Sequence, residues 1–219
     1  MTRHVLLLAL VFALPVPVAA QEAAPVREEW SFGTVIAPGM LPEGATSLYG
    51  YVGAPEMGAG FRQGLANFEV EARARLDYFR LAGIFEAGVR KAVVNRGPAT
   101  FVPTLSVGLV LNSGTAYLDA DNFGGVLVRI SPGLVVNWRV AETVAVLGLL
   151  DVPFDLGIDP VGARRFQALT GGGAELYLGS GITLLTAGQI GVENFEAPDV
   201  PAHTRLGYQV RLGIGTRLF

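Results

Sequence analysis

The alternation of apolar and polar residues along Phe68–Tyr78 constrains this chain more than any other feature. Phe68, Val70, Ala72, Ala74, Leu76 and Tyr78 fall on one parity, and Glu69, Glu71, Arg73, Arg75 and Asp77 fall on the other. A strand turns successive side chains to opposite faces, so all five charges share one side. A helix would scatter them around its circumference. The pattern recurs downstream. Val126, Val128, Ile130, Leu134, Val136 and Trp138 alternate with Arg129, Ser131, Asn137 and Arg139. Leu206, Tyr208, Val210, Leu212 and Ile214 alternate with Arg205, Gln209 and Arg211, and shorter runs surround Arg165–Leu178 and Ile182–Glu193. The chain is expected to be all-β.

Hydrophobic residues make up 51% of the chain and charged residues 16%, with a mean hydropathy of +0.44. Transmembrane helices are the ordinary source of such values, but each needs about 18 to 20 consecutive apolar residues. Beyond the N-terminus, charges or glycines interrupt every stretch. Apolarity dispersed in alternating segments of about 9 to 11 residues or more suits strands that cross a membrane. The 29 glycines fit a small barrel, where inward glycines relieve crowding at bends and over large side chains. With no cysteine there is neither a disulfide nor a lipoprotein anchor. Sixteen basic residues against 19 acidic ones, a net charge of −3 and the lack of a basic block argue against nucleic acid as a partner.

At the N-terminus, Arg3 and His4 precede an apolar run from Val5 to Leu14, then Pro15, Pro17, Val18, Ala19 and Ala20. A basic start, a short apolar run and small residues describe a secretory signal peptide over 1–20, cleaved after Ala20. The run is too short for an anchor, since ten helical residues rise only about 15 Å. Residues 21–43 carry Pro25, Pro38 and Pro42 and read as an irregular periplasmic leader. The barrel is assigned to 44–219. Strands are expected near 46–53, 56–63, 66–78, 80–92, 99–112, 125–139, 143–153, 163–178, 182–192 and 204–219. Ten is an even number and puts both termini on the periplasmic side. Eight or twelve stay open, because 46–63 also reads as one bent strand and Trp30–Ile36 as an extra one. Short connections alternate with longer, more polar ones near Asn112–Gly124, Phe154–Gly162 and Glu193–His203, expected to be outer loops.

The signal peptide, the dyad repeats, the alternation of loop lengths and a chain ending in Phe219 together resemble the bacterial outer-membrane β-barrel class. The resemblance implies a closed antiparallel up-and-down transmembrane β-barrel in the outer membrane. It also implies membrane lipid and the barrel-assembly machinery as partners, with Phe219 as the assembly signal. Arg211, Gly213, Gly215 and Arg217 share the parity of Phe219, one residue out of step with the class pattern. A bulge near the end would restore it; without one, the ending departs from the class pattern.

With the apolar face on lipid, the other face lines the lumen. That places Glu69, Glu71, Arg73, Arg75 and Glu86 inside, together with Arg90, Arg129, Arg165, Glu175 and Arg211. Charges removed from water need partners, so an ion-pair network filling a narrow interior is expected. Chemistry finds little footing. His203 stands in an expected loop with no serine near it, and one histidine in the mature chain with no cysteine offers no zinc spacing. Asp119, Asp121 and Asn122 lack the distal glutamate of a calcium loop, and Gly171–Gly173 is not followed by the Lys-Ser or Lys-Thr of a phosphate loop. No cofactor or metal is expected. The leading reading is a non-enzymatic integral outer-membrane barrel with a structural or surface-interaction role and a lumen largely filled by side chains. One alternative is a narrow passive channel or a carrier of small apolar molecules, for which inward Leu127, Val135, Leu147 and Leu149 leave room. The other is a soluble lipocalin-like carrier, which needs the reverse orientation of the same alternation.

Overall fold

The structure is a computed structural model that describes residues 35–37, 39–96, 98–115, 122–198 and 200–218. All of these belong to one compact unit, Ser31–Phe219. The signal peptide, most of Trp30–Ile36 and Phe219 lie outside the described residues.

Twelve strand segments form one antiparallel sheet. They are β1 (Thr46–Ala54), β2 (Glu56–Gly64), β3 (Glu69–Asp77), β4 (Ala82–Arg90), β5 (Val94–Arg96) and β6 (Ala99–Ser113). After these come β7 (Gly124–Ala141), β8 (Val144–Asp151), β9 (Phe154–Asp159), β10 (Arg164–Gly179), β11 (Ile182–Ala197) and β12 (Val200–Arg217). Two pairs of segments share a stave. β4 and β5 both pair with β6, and Lys91 and Val93 carry the hydrogen bonding across the gap by donating to Pro103 and Phe101. β8 and β9 both lie between β7 and β10. Across their break Val152 donates to Pro132, and Gln167 donates to Pro153. The result is a ten-stave barrel, closed where β1 meets β12 from Ser47↔Arg217 to Ala54↔Val210.

Closure leaves no sheet edge running the height of the wall, which is how strands satisfy their backbone groups in lipid. Most of the hairpins are tight, the β6–β7 connection from Gly114 to Phe123 being the long one. In the β10–β11 turn Gly179, Ser180 and Gly181 all take positive φ, at 85°, 52° and 75°, the twist that a short hairpin requires. Two expected outer loops turn out to be strand. Phe154–Gly162 is mostly β9, because Phe154–Leu156 bridge β10 on one side and β7 on the other. Glu193–His203 is the top of a tall β11–β12 hairpin that stays in register from Glu193↔Arg205 to Phe195↔His203. Polarity suggested loops there, but cross-strand pairing overrides it.

No bulge near the C-terminus restores the class parity among the described residues. β12 pairs in unbroken register with β1 through Arg217 and with β11 through Thr216. Among the described residues the last outward side chain is Leu218, whose amide donates to the Thr46 carbonyl.

The two faces differ sharply. Val52, Phe85, Val107, Leu212 and Ile214 each point outward and are about half exposed. Arg62, Glu69, Glu86, Arg129 and Glu175 are buried inside. A soluble carrier needs the opposite arrangement. On β11 the outward apolar positions run from Ile182 to Val192 before Asn194. At about 3.3 Å per residue and a tilt of about 40°, they span about 25 Å, the height of a lipid-facing belt.

Candidate functional site: the barrel lumen

Space inside the barrel is made by small residues opposite large ones. Tyr49 and Tyr51 of β1 point inward, and their cross-strand partners on β2 are Gly60 and Gly58. A methyl group on Gly60 would sit 2.3 Å from the Tyr49 ring. The glycines thus let both rings lie flat across β2, where their hydroxyls reach carboxylates. Tyr49 donates to Glu71, and Tyr51 donates to Glu56 at 3.0 Å.

Side chains of opposite charge then stack in tiers. At the short-turn end, Arg62 makes a two-point pair with Glu69 at 2.5 and 2.9 Å, with neither side chain exposed. Arg90 lies 3.4 Å from the same carboxylate. In the middle tier Glu86 collects Arg73 at 2.9 Å, Arg75, and the hydroxyls of Ser106 and Ser131 at 3.2 and 3.1 Å. Arg75 also pairs with Glu56 at 2.9 Å. Arg211 lies 3.7 Å from Asp151 and stacks over Tyr51 at 5.5 Å. At the opposite end Arg129 forms a two-point pair with Asp155, both contacts 2.6 Å. Glu193 there gathers Arg80 and Arg165 at 2.8 Å and Arg205 at 3.3 Å. Two parallel N–H···O bonds to a carboxylate fix geometry as well as charge.

The ten lumen residues named from the sequence divide as follows. Glu69 and Arg90 sit in the lower tier. Glu71, Arg73, Arg75, Glu86 and Arg211 sit in the middle, and Arg129 and Arg165 in the upper tier. Glu175 stands apart from the ion pairs. Its Oε1 accepts the main-chain N–H groups of Ile36 and Ala37, the latter at 3.1 Å. Sequence reasoning missed Glu56 and Asp155 and left Glu193 undecided. Glu56 follows directly on the Pro55 turn, Asp155 lay in a supposed loop, and Glu193 stood where a strand was expected to end. Glu56 already stood on the parity of Arg62 in its expected strand, and for Asp155 and Glu193 the parity was readable once the strand was extended by one or two residues.

The lumen is two-sided. Charges are densest on β2, β3 and β4, whereas Val102, Val135, Leu147, Leu149 and Leu185 on β6, β7, β8 and β11 form a buried apolar cluster beside the charges those later strands carry. Leu127 packs in a second cluster with Ile84 and Val110. The voids left between the tiers are about 60, 40 and 10 Å³. These have room for a few waters, far below the roughly 300 Å³ of a small-molecule site. At the rim, the His203 ring packs edge-on against Phe195 with centroids 3.9 Å apart, and its Nδ1 lies 3.2 Å from the Pro201 carbonyl. Asn122 donates to the carbonyls of Arg80 and Thr115 at 3.0 and 2.9 Å. Asp119 and Asp121 lie outside the described residues.

No protein-family model and no curated protein sequence matches the chain. Among solved structures, the outer membrane protease OmpT of Escherichia coli overlays with a TM-score of 0.36 at 9% identity, covering 80% of this chain and 93% of that one. The outer membrane protein Ail of Yersinia pestis, in a phospholipid bilayer nanodisc, gives 0.38 at 15% identity over 80% of this chain and 100% of that one. A de novo designed transmembrane β-barrel gives 0.34 at 14% identity over 82% and 99%. Overlays this loose speak to neither activity nor ligand. The chain's own geometry does identify the architecture. With charges and hydroxyls paired inside, branched and aromatic side chains outside, and staves closed into a ring, it is a closed ten-stave transmembrane β-barrel.

Proposed function

We propose that this protein is a non-enzymatic integral outer-membrane barrel with a closed, non-conducting lumen, serving a structural or surface-interaction role through its raised rim. The observation that carries this reading is the filled interior: among the described residues the tiers of ion pairs leave voids of about 60, 40 and 10 Å³. A hydrated ion moving along the lumen would have to break bidentate pairs buried from solvent, each costly to separate. The apolar side offers no open route either, because Val135, Leu147 and Leu149 are 9%, 3% and 6% exposed within a packed cluster.

The part of the molecule left to meet other partners is the rim opposite the short turns. There β11 and β12 rise above the ends of β1 and β2, carrying the exposed Arg164–Glu196 pair at their flank. The test is to purify the full chain from the outer-membrane fraction, verify folding by a heat-dependent shift on SDS gels, and insert it into planar bilayers. The expected result is a heat-modifiable band with no conductance steps above the bilayer baseline. Reproducible ion steps would replace the closed-barrel reading with the channel.

A further inference from the structure

The interior holds one group of side chains that the ion-pair tiers do not absorb, at the short-turn mouth. Val35–Ala37 and Gly39–Leu41 lie inside the barrel there, with Val35, Ala37 and Leu41 3%, 0% and 1% exposed. The segment forms no strand with the wall. Four wall side chains bond to its main chain. Arg62 donates to the carbonyl of Val35 at 3.2 Å. Arg90 donates to the carbonyls of Ile36 and Gly39, both at 3.0 Å. Glu175 accepts from the amides of Ile36 and Ala37, and Glu69 accepts from the amide of Leu41 at 2.7 Å. Two cations therefore read carbonyls and two carboxylates read amides. On the opposite side, Val35 and Ala37 face the apolar wall.

We infer that the short-turn mouth is a peptide-binding site that recognises a bent main chain with small apolar side chains, occupied in cis by Val35–Ala37 and Gly39–Leu41. The chemistry matches such a ligand on both sides. Charged donors and acceptors bond backbone groups more strongly than neutral ones do, while the apolar half favours short side chains such as those of Val35 and Ala37. A wall element would share the sheet's hydrogen-bond ladder. Among the described residues this segment makes no main-chain pair with the wall, and the Ala92 amide reaches only the Met40 Sδ at 3.4 Å, so it seats and leaves as a unit while the barrel stays closed.

The absence of cysteine makes the test direct on the full chain. Ala37→Cys and, separately, Met40→Cys are folded in detergent, and their labelling by a membrane-impermeant maleimide is followed across a urea series. The heat-modifiable band reports the wall in the same samples. The inference expects both cysteines to become reactive at urea concentrations where the band is still fully folded. Replacing Glu175 with Leu is expected to speed labelling about tenfold, and Glu175→Gln, which still accepts from both amides, much less. A synthetic peptide of residues 33–43 in excess is expected to raise the rate further by taking the vacated mouth. If both cysteines react only with the same urea midpoint as the wall, the segment is an integral part of the barrel and the inference fails. It fails equally if labelling precedes unfolding but Glu175→Leu leaves the rate unchanged.

Discussion

Glu86 shows how much one side chain can hold inside such a barrel. Its carboxylate collects two guanidiniums and two hydroxyls from β3, β6 and β7. Replacing it with alanine leaves Arg75 with Glu56 alone and takes from Arg73 its carboxylate partner, and breaking a buried pair this way costs about 3 to 5 kcal/mol. We expect Glu86→Ala to lower the urea midpoint of the heat-modifiable band sharply, and Glu86→Gln, which keeps an acceptor oxygen and a donor amide, to lower it less. Gly60 makes a complementary case. Gly60→Leu drives a side chain into the Tyr49 ring and should cost about 1 to 3 kcal/mol. In Tyr49→Ala that ring is gone, so the same substitution should cost markedly less. Additive effects in this double-mutant cycle would mean that the ring does not occupy the glycine's space.

At the scale of the strand, alternation was legible and pairing was not. The parity of Glu69 through Asp77 is enough to set one face of β3 against the other, because a strand has a period of two. Which charge meets which depends on register and stagger between strands distant in sequence. No local pattern announces that Arg80 meets Glu193 or that Glu56 meets Gln209. Strand ends were lost where polarity was mistaken for a loop, as at Asp155 and Glu193. The inserted leader was unreadable for a related reason. Residues 35–41 have no period at all, and their partners Arg62, Glu69, Arg90 and Glu175 come from three different strands and a fourth far downstream. The outward face does allow a depth test element by element. Leu212 lies mid-belt on β12, whereas Ile158 lies near the raised end of β9. Leu212→Arg should destabilise the folded barrel in lipid by about 2 to 4 kcal/mol and Ile158→Arg by about 0 to 1. Equal costs at both sites would put the bilayer elsewhere on the wall.

For the molecule as a whole, the wall is uneven in height. β1 to β4 are nine residues each, while β11 and β12 run to 16 and 18. β1 ends against Val210, and among the described residues no strand flanks β12 from Val200 to Gln209 on that side. This stretch hangs on β11 alone. Amide hydrogens along it are therefore expected to exchange with deuterated solvent well before those of Leu212–Thr216, which are held between two neighbours. Pulse labelling of the folded protein in micelles would show the gradient directly. A protein drawn this way has a clock built into its wall: the rim opens and recloses many times in the interval over which the belt opens once.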